Sequence, residues 1–176
     1  VETRPFTPAD VAAVEAFLDR IPKGESTFFK EDITAEGIVG RWAADTATRR
    51  ILAWDGADVI GYAAVIPGVG WSSHVGEVRL IVDPERRRSG IGHQLARRAL
   101  IDALQAGLRK VVVEVVADQE AAIHLFTGLG FTPEAILANH VRDRAGDVHD
   151  LMVLAHDVED VQSVIATIGI GEELSP

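Results

Sequence analysis

Arg86, Arg87, Arg88, Ser89, Gly90, Ile91 and Gly92 follow one another in the chain, and residues of these types in this order suit an anion. Arginine presents charged, fork-shaped donors that match phosphate oxygens. Glycine lets backbone N–H groups come close to a ligand. Where a helix begins at such a loop, its unpaired first-turn N–H groups and its dipole converge on the same point. The plainer alternative is a Gly-x-Gly that only turns a strand into a helix, with solvated arginines. Two other phosphate motifs fail on the residues present: a dinucleotide fingerprint needs a third glycine near Leu95, and a P-loop needs Gly-Lys-Ser/Thr. The six histidines, at 74, 93, 124, 140, 149 and 156, form no His-Glu-x-x-His and no close pair, so no metal is expected. His149 and Asp150 are adjacent, but no serine lies in a Gly-x-Ser-x-Gly elbow, which argues against a hydrolase triad and for simple strand termination.

The elements around the loop must position it. Residues 74–82 have strand character and stop at Asp83-Pro84, where proline ends ladder pairing. The spacing predicts a helix over 89–106, with Ile91, Leu95, Ala99 and Ala103 in one row and Ala96, Leu100 and Leu104 beside it. Gly107 caps it, and 110–116 is a valine-rich strand. Strand, helix and strand in this order make a right-handed crossover between parallel strands. Upstream lie a short strand at 1–6 and a helix from the Thr7-Pro8-Ala9-Asp10 cap to about 20, with Val11, Val14, Phe17 and Leu18 on one face. A loop over 21–31, a helix over 34–44 and a hairpin of 50–54 with 59–66 around Asp55-Gly56-Ala57-Asp58 come next. Downstream, a helix at 120–129 ends at Gly130 and a second hairpin joins 133–142 to 148–155. The stretch 158–168 places Val161, Val164, Ile165 and Ile168 on one face and reads as an added helix at a homodimer contact. The expected fold class is α/β, one domain over 1–156 with a mixed, mostly antiparallel sheet and helices on both faces, plus a helical extension at 157–176.

The run from Val82 to Gly92 resembles the acetyl-CoA motif of the GNAT acetyltransferases, Gln/Arg-x-x-Gly-x-Gly/Ala after a strand-ending proline. Downstream, Ala122-Ile123-His124-Leu125-Phe126-Thr127-Gly128-Leu129-Gly130-Phe131 is similar to that superfamily's Ala-Ile-x-Leu-Tyr-x-x-x-Gly-Phe segment. The resemblance runs through most of the chain and is strongest over 56–131. It implies that the strand containing Leu80, Ile81 and Val82 splays from its parallel neighbour and offers its backbone to the pantetheine arm of acetyl-CoA. It implies that Arg87, Arg88, Ser89, Gly90, Ile91, Gly92 and His93 wrap the pyrophosphate, and that Gln119 stands where many members have an asparagine that touches the carrier.

Acetyl transfer needs a neutral amine, while a free lysine amine has a pKa of ~10.4 and an α-amine ~8, so a base or a water relay helps. The resemblance implies two candidates. Glu114 matches the base position of the ribosomal-protein alanine acetyltransferases. Glu77 lies near the base position of histone-type members but one residue out of register, which on a strand means the opposite face. Glu114 is the stronger of the two. Phe126 stands where many members have a tyrosine that protonates the leaving thiolate, and a phenyl ring donates no proton.

Composition narrows the classes further. Mean hydropathy of +0.14 with 25% charged residues describes a globular chain, no apolar run reaches the ~20 residues of a membrane span, and the first residues lack the order of a secretory signal. No cysteine is present, which removes disulfides and a cysteine nucleophile and makes the cytoplasm the expected compartment. A formal net charge of −10 opposes nucleic-acid binding and favours a cationic amine acceptor. The expectation is an N-acetyltransferase with acetyl-CoA as co-substrate and a primary amine as acceptor. A non-catalytic acyl-CoA-binding regulatory domain and a nucleotide-binding protein are the alternatives.

Overall fold

The computed structural model describes residues 1–25 and 29–158. In chain order the elements are β1 (Glu2–Pro5), α1 (Val11–Asp19), α2 (Ile38–Ala44), β2 (Arg49–Asp55), β3 (Asp58–Pro67), β4 (Val75–Val82), α3 (Ile91–Gln105), β5 (Lys110–Val116), α4 (Glu120–Gly128), β6 (Thr132–Arg142) and β7 (Val148–Asp157). The strands form one sheet in the order β1-β2-β3-β4-β5-β7-β6. All neighbours pair antiparallel except β4 and β5. This is the α/β class with a central parallel pair expected from the sequence. The edge strand β6 is interrupted by two irregularities, which shortens the flat edge offered to another chain.

Alternation along the strands builds a core on each face of the sheet. Val78, Val111, Val113 and Val115 pack with Leu95, Ala99 and Leu100 of α3 and Phe126 of α4. On the other face Leu52, Tyr62, Ala64 and Ile81 pack with Val14 and Phe17 of α1 and with Val39 and Trp42 of α2. Each fully buried side chain such as Phe17 or Leu95 contributes ~1.5–3 kcal/mol, so helices are drawn to both faces. α3 lies close on β3 because position 61 has no side chain. A Cβ there would stand 2.7 Å from Leu95 Cδ1 and 3.2 Å from Ile91 Cγ2. That contact fixes the start of α3 over the end of β4, since Gly61 is the register partner of Val82.

Several boundaries differ from the sequence reading, each for a local reason. The second helix begins at Ile38, not Thr34, because the Asp32 carboxylate accepts from both the N–H and the hydroxyl of Thr34 at 3.0 and 2.6 Å and holds a turn there. α3 begins at Ile91, not Ser89: the Ser89 hydroxyl donates to the Arg86 carbonyl, and Gly90 has a φ of 86° that no helix accommodates. The helix expected over 158–168, with its homodimer contact, lies outside the described residues except for Val158, which is buried and donates its N–H to Arg109 O at 2.8 Å. Among the described residues no helix is long and apolar enough to cross a membrane.

The turn into α1 is tied to β1 by charge. Asp10 is buried and accepts from Arg4 at 2.7 and 2.9 Å and from the Thr7 N–H and hydroxyl at 2.8 Å each. Arg4, against the opposing cost of burial and with help from Thr7, holds the Asp10 carboxyl well below the usual carboxylate range. Because the folded pKa is lowered, this contribution is full above the unfolded value of ~3.9 and is lost as pH falls through the folded value. Asp10→Ala is expected to lower stability by ~1–2 kcal/mol at neutral pH. Urea denaturation should record that loss, and the gap from the parent protein should narrow in acid.

Candidate active site

β4 and β5 pair at three positions only, Val75 with Lys110, Gly76 with Val111 and Glu77 with Val112. Beyond Glu77 each strand follows its antiparallel partner, β4 staying with β3 to Val82 and β5 staying with β7 to Val116. Sheet twist then carries the two apart. A cavity of about 910 Å³ opens at the split and is lined by Glu77, Leu80, Ile81 and Val82 of β4 and by Glu114 of β5. Arg87, Arg88, Gly90, Gly92 and His93 at one end, and Gln119 and Phe126 of the α4 region, complete it. The structure therefore gathers twelve of the fourteen residues singled out in the sequence around one space. Ser89 and Ile91 lie off its wall: the hydroxyl of Ser89 is spent on the Arg86 carbonyl, and Ile91 is buried under α3.

The anion-favouring end takes its shape from backbone conformation and a remote ion pair. Gly90 is the N-cap of α3 in the left-handed region, and no side chain caps the first turn, so its N–H groups face outward. Arg88 also adopts a positive φ of 62°, which costs a non-glycine residue ~1 kcal/mol or more. Arg86 pairs with Asp55 at 3.1 Å and Arg87 pairs with Glu25. The loop is held from below by Asp83, a buried carboxylate that accepts from Arg20 Nε at 2.9 Å and from the Glu85 N–H at 3.0 Å. Arg20 also donates to Val59 O at 2.6 Å. Sequence reasoning missed Arg20 and Asp83 in this role, because nothing local signals a partnership between residues so far apart in the chain.

The split's other end is acidic. Glu77 and Glu114 lie on the same face of the sheet, and Lys30 Nζ stands 3.0 Å from a carboxylate oxygen of each. This corrects the register reading that turned Glu77 away. The side chains of Glu77, Arg79 and Ile81 share the face of the α1 and α2 core, while Val78 belongs to the α3 side. Arg79 Nε donates to Glu77 at 2.8 Å, and Glu31 accepts from Arg79 at 3.4 Å and from Trp42 Nε1 at 3.2 Å. Burial alone would raise the Glu77 carboxyl, but Arg79 and then Lys30 outweigh it and hold it below its ordinary value. Burial would likewise lower the Lys30 ammonium, and Glu77 and Glu114 reverse that and raise it. Lys30 had no signal in the sequence, since it sits in the loop reading of 21–31. Above this network Trp42 stacks on Tyr62 at 4.6 Å, and burial pushes the Tyr62 phenol up to about 12. Phe126 is buried and meets Phe131 edge-on at 5.2 Å.

The profile of the acetyltransferase (GNAT) family matches residues 15–131. The chain belongs to that family. A mycothiol acetyltransferase of Kocuria rhizophila is 41% identical over 76 residues, which is 42% of this chain and 25% of the relative. The chain thus spans about a quarter of that curated relative's length. The fold agrees with two solved structures at a TM-score of 0.78. One is a ribosomal-protein-alanine N-acetyltransferase of Brucella melitensis, at 19% identity over 89% of this chain and 99% of that one. The other is yncA of Salmonella typhimurium, solved with its cofactor acetyl-CoA, at 20% identity over 90% and 94%.

One further cluster borders the cavity of this GNAT domain. His149 Nδ1 is 2.6 Å from Asp118 and its Nε2 is 3.2 Å from Asp143. Asp150, its neighbour in sequence, instead accepts from the Asn139 N–H at 2.8 Å, so the adjacent His-Asp pair does not act as a unit. Asp118 lines the cavity, and His149 therefore ties the β6–β7 hairpin to the loop that follows β5. Asp118 first, then Asp143, raises the His149 pKa above its ordinary value. A raised folded pKa means that the tie is full below the unfolded value and is lost as pH rises through the folded one. A titration followed by NMR is expected to place the His149 midpoint above ~6.5. Asp118→Asn should bring it back down, and a midpoint below that value in the parent protein would contradict the geometry.

Proposed function

We propose that the protein transfers an acetyl group from acetyl-CoA directly to a primary amine. The observation that carries this reading is the parting of β4 and β5. Past Glu77 the edge of β4 that faces the split has no ladder partner, which leaves backbone groups of Leu80, Ile81 and Val82 for the amides of a pantetheine arm. The arm would lead to the uncapped first turn of α3, where Gly90, Gly92 and His93 suit a pyrophosphate. Arg88 supplies charge there, and Arg87 adds more on release from Glu25. Gln119 and Phe126 line the opposite wall.

The chemistry follows from the two ends of the cavity. With no cysteine in the chain, no thiol can hold the acyl group, and the amine attacks the thioester carbon itself. The new C–N bond forms as the C–S bond breaks, and N–H groups on the free edge of β4 stabilise the oxyanion. Between bound ammonium and amide the nitrogen loses two protons, and Glu114 takes each in turn and passes it to solvent, because Glu77 is committed to Arg79 as well as to Lys30. CoA leaves as a thiolate, which a thiol pKa of ~8.5 permits without the phenol that Phe126 replaces. A second reading, a regulatory domain that binds acyl-CoA without turning it over, is favoured by Phe126 alone.

Thiol release from acetyl-CoA across a panel of primary amines distinguishes the two. Turnover is expected, with kcat rising with pH as the bound ammonium loses its proton. Glu114→Gln should lower kcat by roughly 10²–10⁴-fold, and Arg88→Ala should raise the KM for acetyl-CoA. Binding of acetyl-CoA with no thiol release by any amine would sink the enzymatic reading, and preference for ATP or NAD over CoA would sink both.

A further inference from the structure

The Lys30 ammonium lies at the split between β4 and β5 and spans two carboxylates that belong to different strands. We infer that Glu77 and Glu114 form the acceptor's ammonium subsite, and that Lys30 holds this subsite in competition with an unbranched alkylammonium substrate. The inference rests on the acetyltransferase reading and names the class of its acceptor.

Three observations support it. Lys30 is itself a primary ammonium at the end of four methylenes, and the site accommodates that group with contacts of 3.0 Å to both carboxylates. Phe29, Ile33, Trp42 and Tyr62 bound the same cavity, which gives a methylene chain hydrocarbon and ring surface while its charge meets Glu77 and Glu114. The Lys30 side chain keeps 46% of its exposure, and an ion pair that open is worth little, so an external ammonium can displace it. A carbon branched next to the nitrogen departs from the linear stem whose ammonium the two carboxylates hold.

This occupancy has a measurable consequence. An internal competitor divides the fraction of protein ready to bind an amine, and its removal tightens binding by that factor. Isothermal titration of n-pentylamine onto the CoA-loaded protein is expected to show roughly fivefold tighter binding for Lys30→Ala and for Lys30→Gln than for the parent protein. Adding Glu77→Gln to Lys30→Ala should abolish the gain, and alanine amide, with its amine on a branched carbon, should show none. Nα-acetyl-lysine amide serves as a third ligand. Tighter binding of that amide assigns the alkylammonium to a polypeptide lysine, and tighter binding of n-pentylamine assigns it to a small amine. Pentylamine that binds both Lys30 variants no more tightly than the parent, or alanine amide that outcompetes it, overturns the inference. A parent protein that binds no CoA instead sinks the acetyltransferase reading, and the amine titrations repeated without CoA keep the two failures apart.

Discussion

The short pairing of β4 with β5 is the constraint on which the rest of the molecule depends. Two parallel strands in the middle of a sheet would ordinarily exchange hydrogen bonds along their whole length, because unpaired backbone groups inside a protein are costly. Here three register pairs suffice, and each strand then stays with an antiparallel neighbour. The twist accumulated on the two sides diverges, and a cavity takes the place of a ladder. The cores on the two faces bear that loss. α3 seats tightly over Gly61 on one face, and α1 and α2 close the other around Trp42 and Tyr62. The opening is thus the product of packing elsewhere in the fold.

Charge is arranged around the opening in two opposite ends. Arg86, Arg87, Arg88 and the start of α3 gather positive potential beyond the tip of β4, while Glu77 and Glu114 face each other near its base. On the proposed reading, separation of the two signs along one strand lets a chain with a formal net charge of −10 address an anion and a cation at once. The pair of buried Asp83 with Arg20 matters here, because it ties the start of the arginine loop to α1 and β3.

Much of this arrangement was legible in the chain, and the part that was not has a common cause. Local pattern identified the valine-rich β5, the apolar stripe of α3 and the two hairpins, because burial on one face writes itself into spacing. Glycine and arginine order marked the loop that enters α3, since its geometry is local. The helix start at Ile38 escaped because the Asp32 carboxylate captures Thr34, a competition between side chain and backbone that periodicity does not register. Lys30, Arg20 and the partners of His149 escaped because they act across the fold. The face of Glu77 does not follow from a family register, because its side of the sheet is set by its own neighbours Arg79 and Ile81.

A site that holds an ammonium between two carboxylates faces a conflict, because the charges that bind the cation also resist its deprotonation. The effect is visible within the protein, where the same two groups raise the pKa of Lys30 against the pull of burial. On the proposed reading, the asymmetry between the glutamates resolves it. Glu77 is committed to Arg79 as well as to the cation, stays anionic and anchors. Glu114 meets only Lys30 among the ion pairs of the described residues, so when the cation becomes an amine it is the carboxylate with a lone pair to spare. Phe126, which lines the cavity and has no proton to give, fits the same economy of protons on the proposed reading. On that reading a bound ammonium gives up two protons when CoA leaves as a thiolate, and Glu114 at the solvent-facing edge of the split is the group that passes both on.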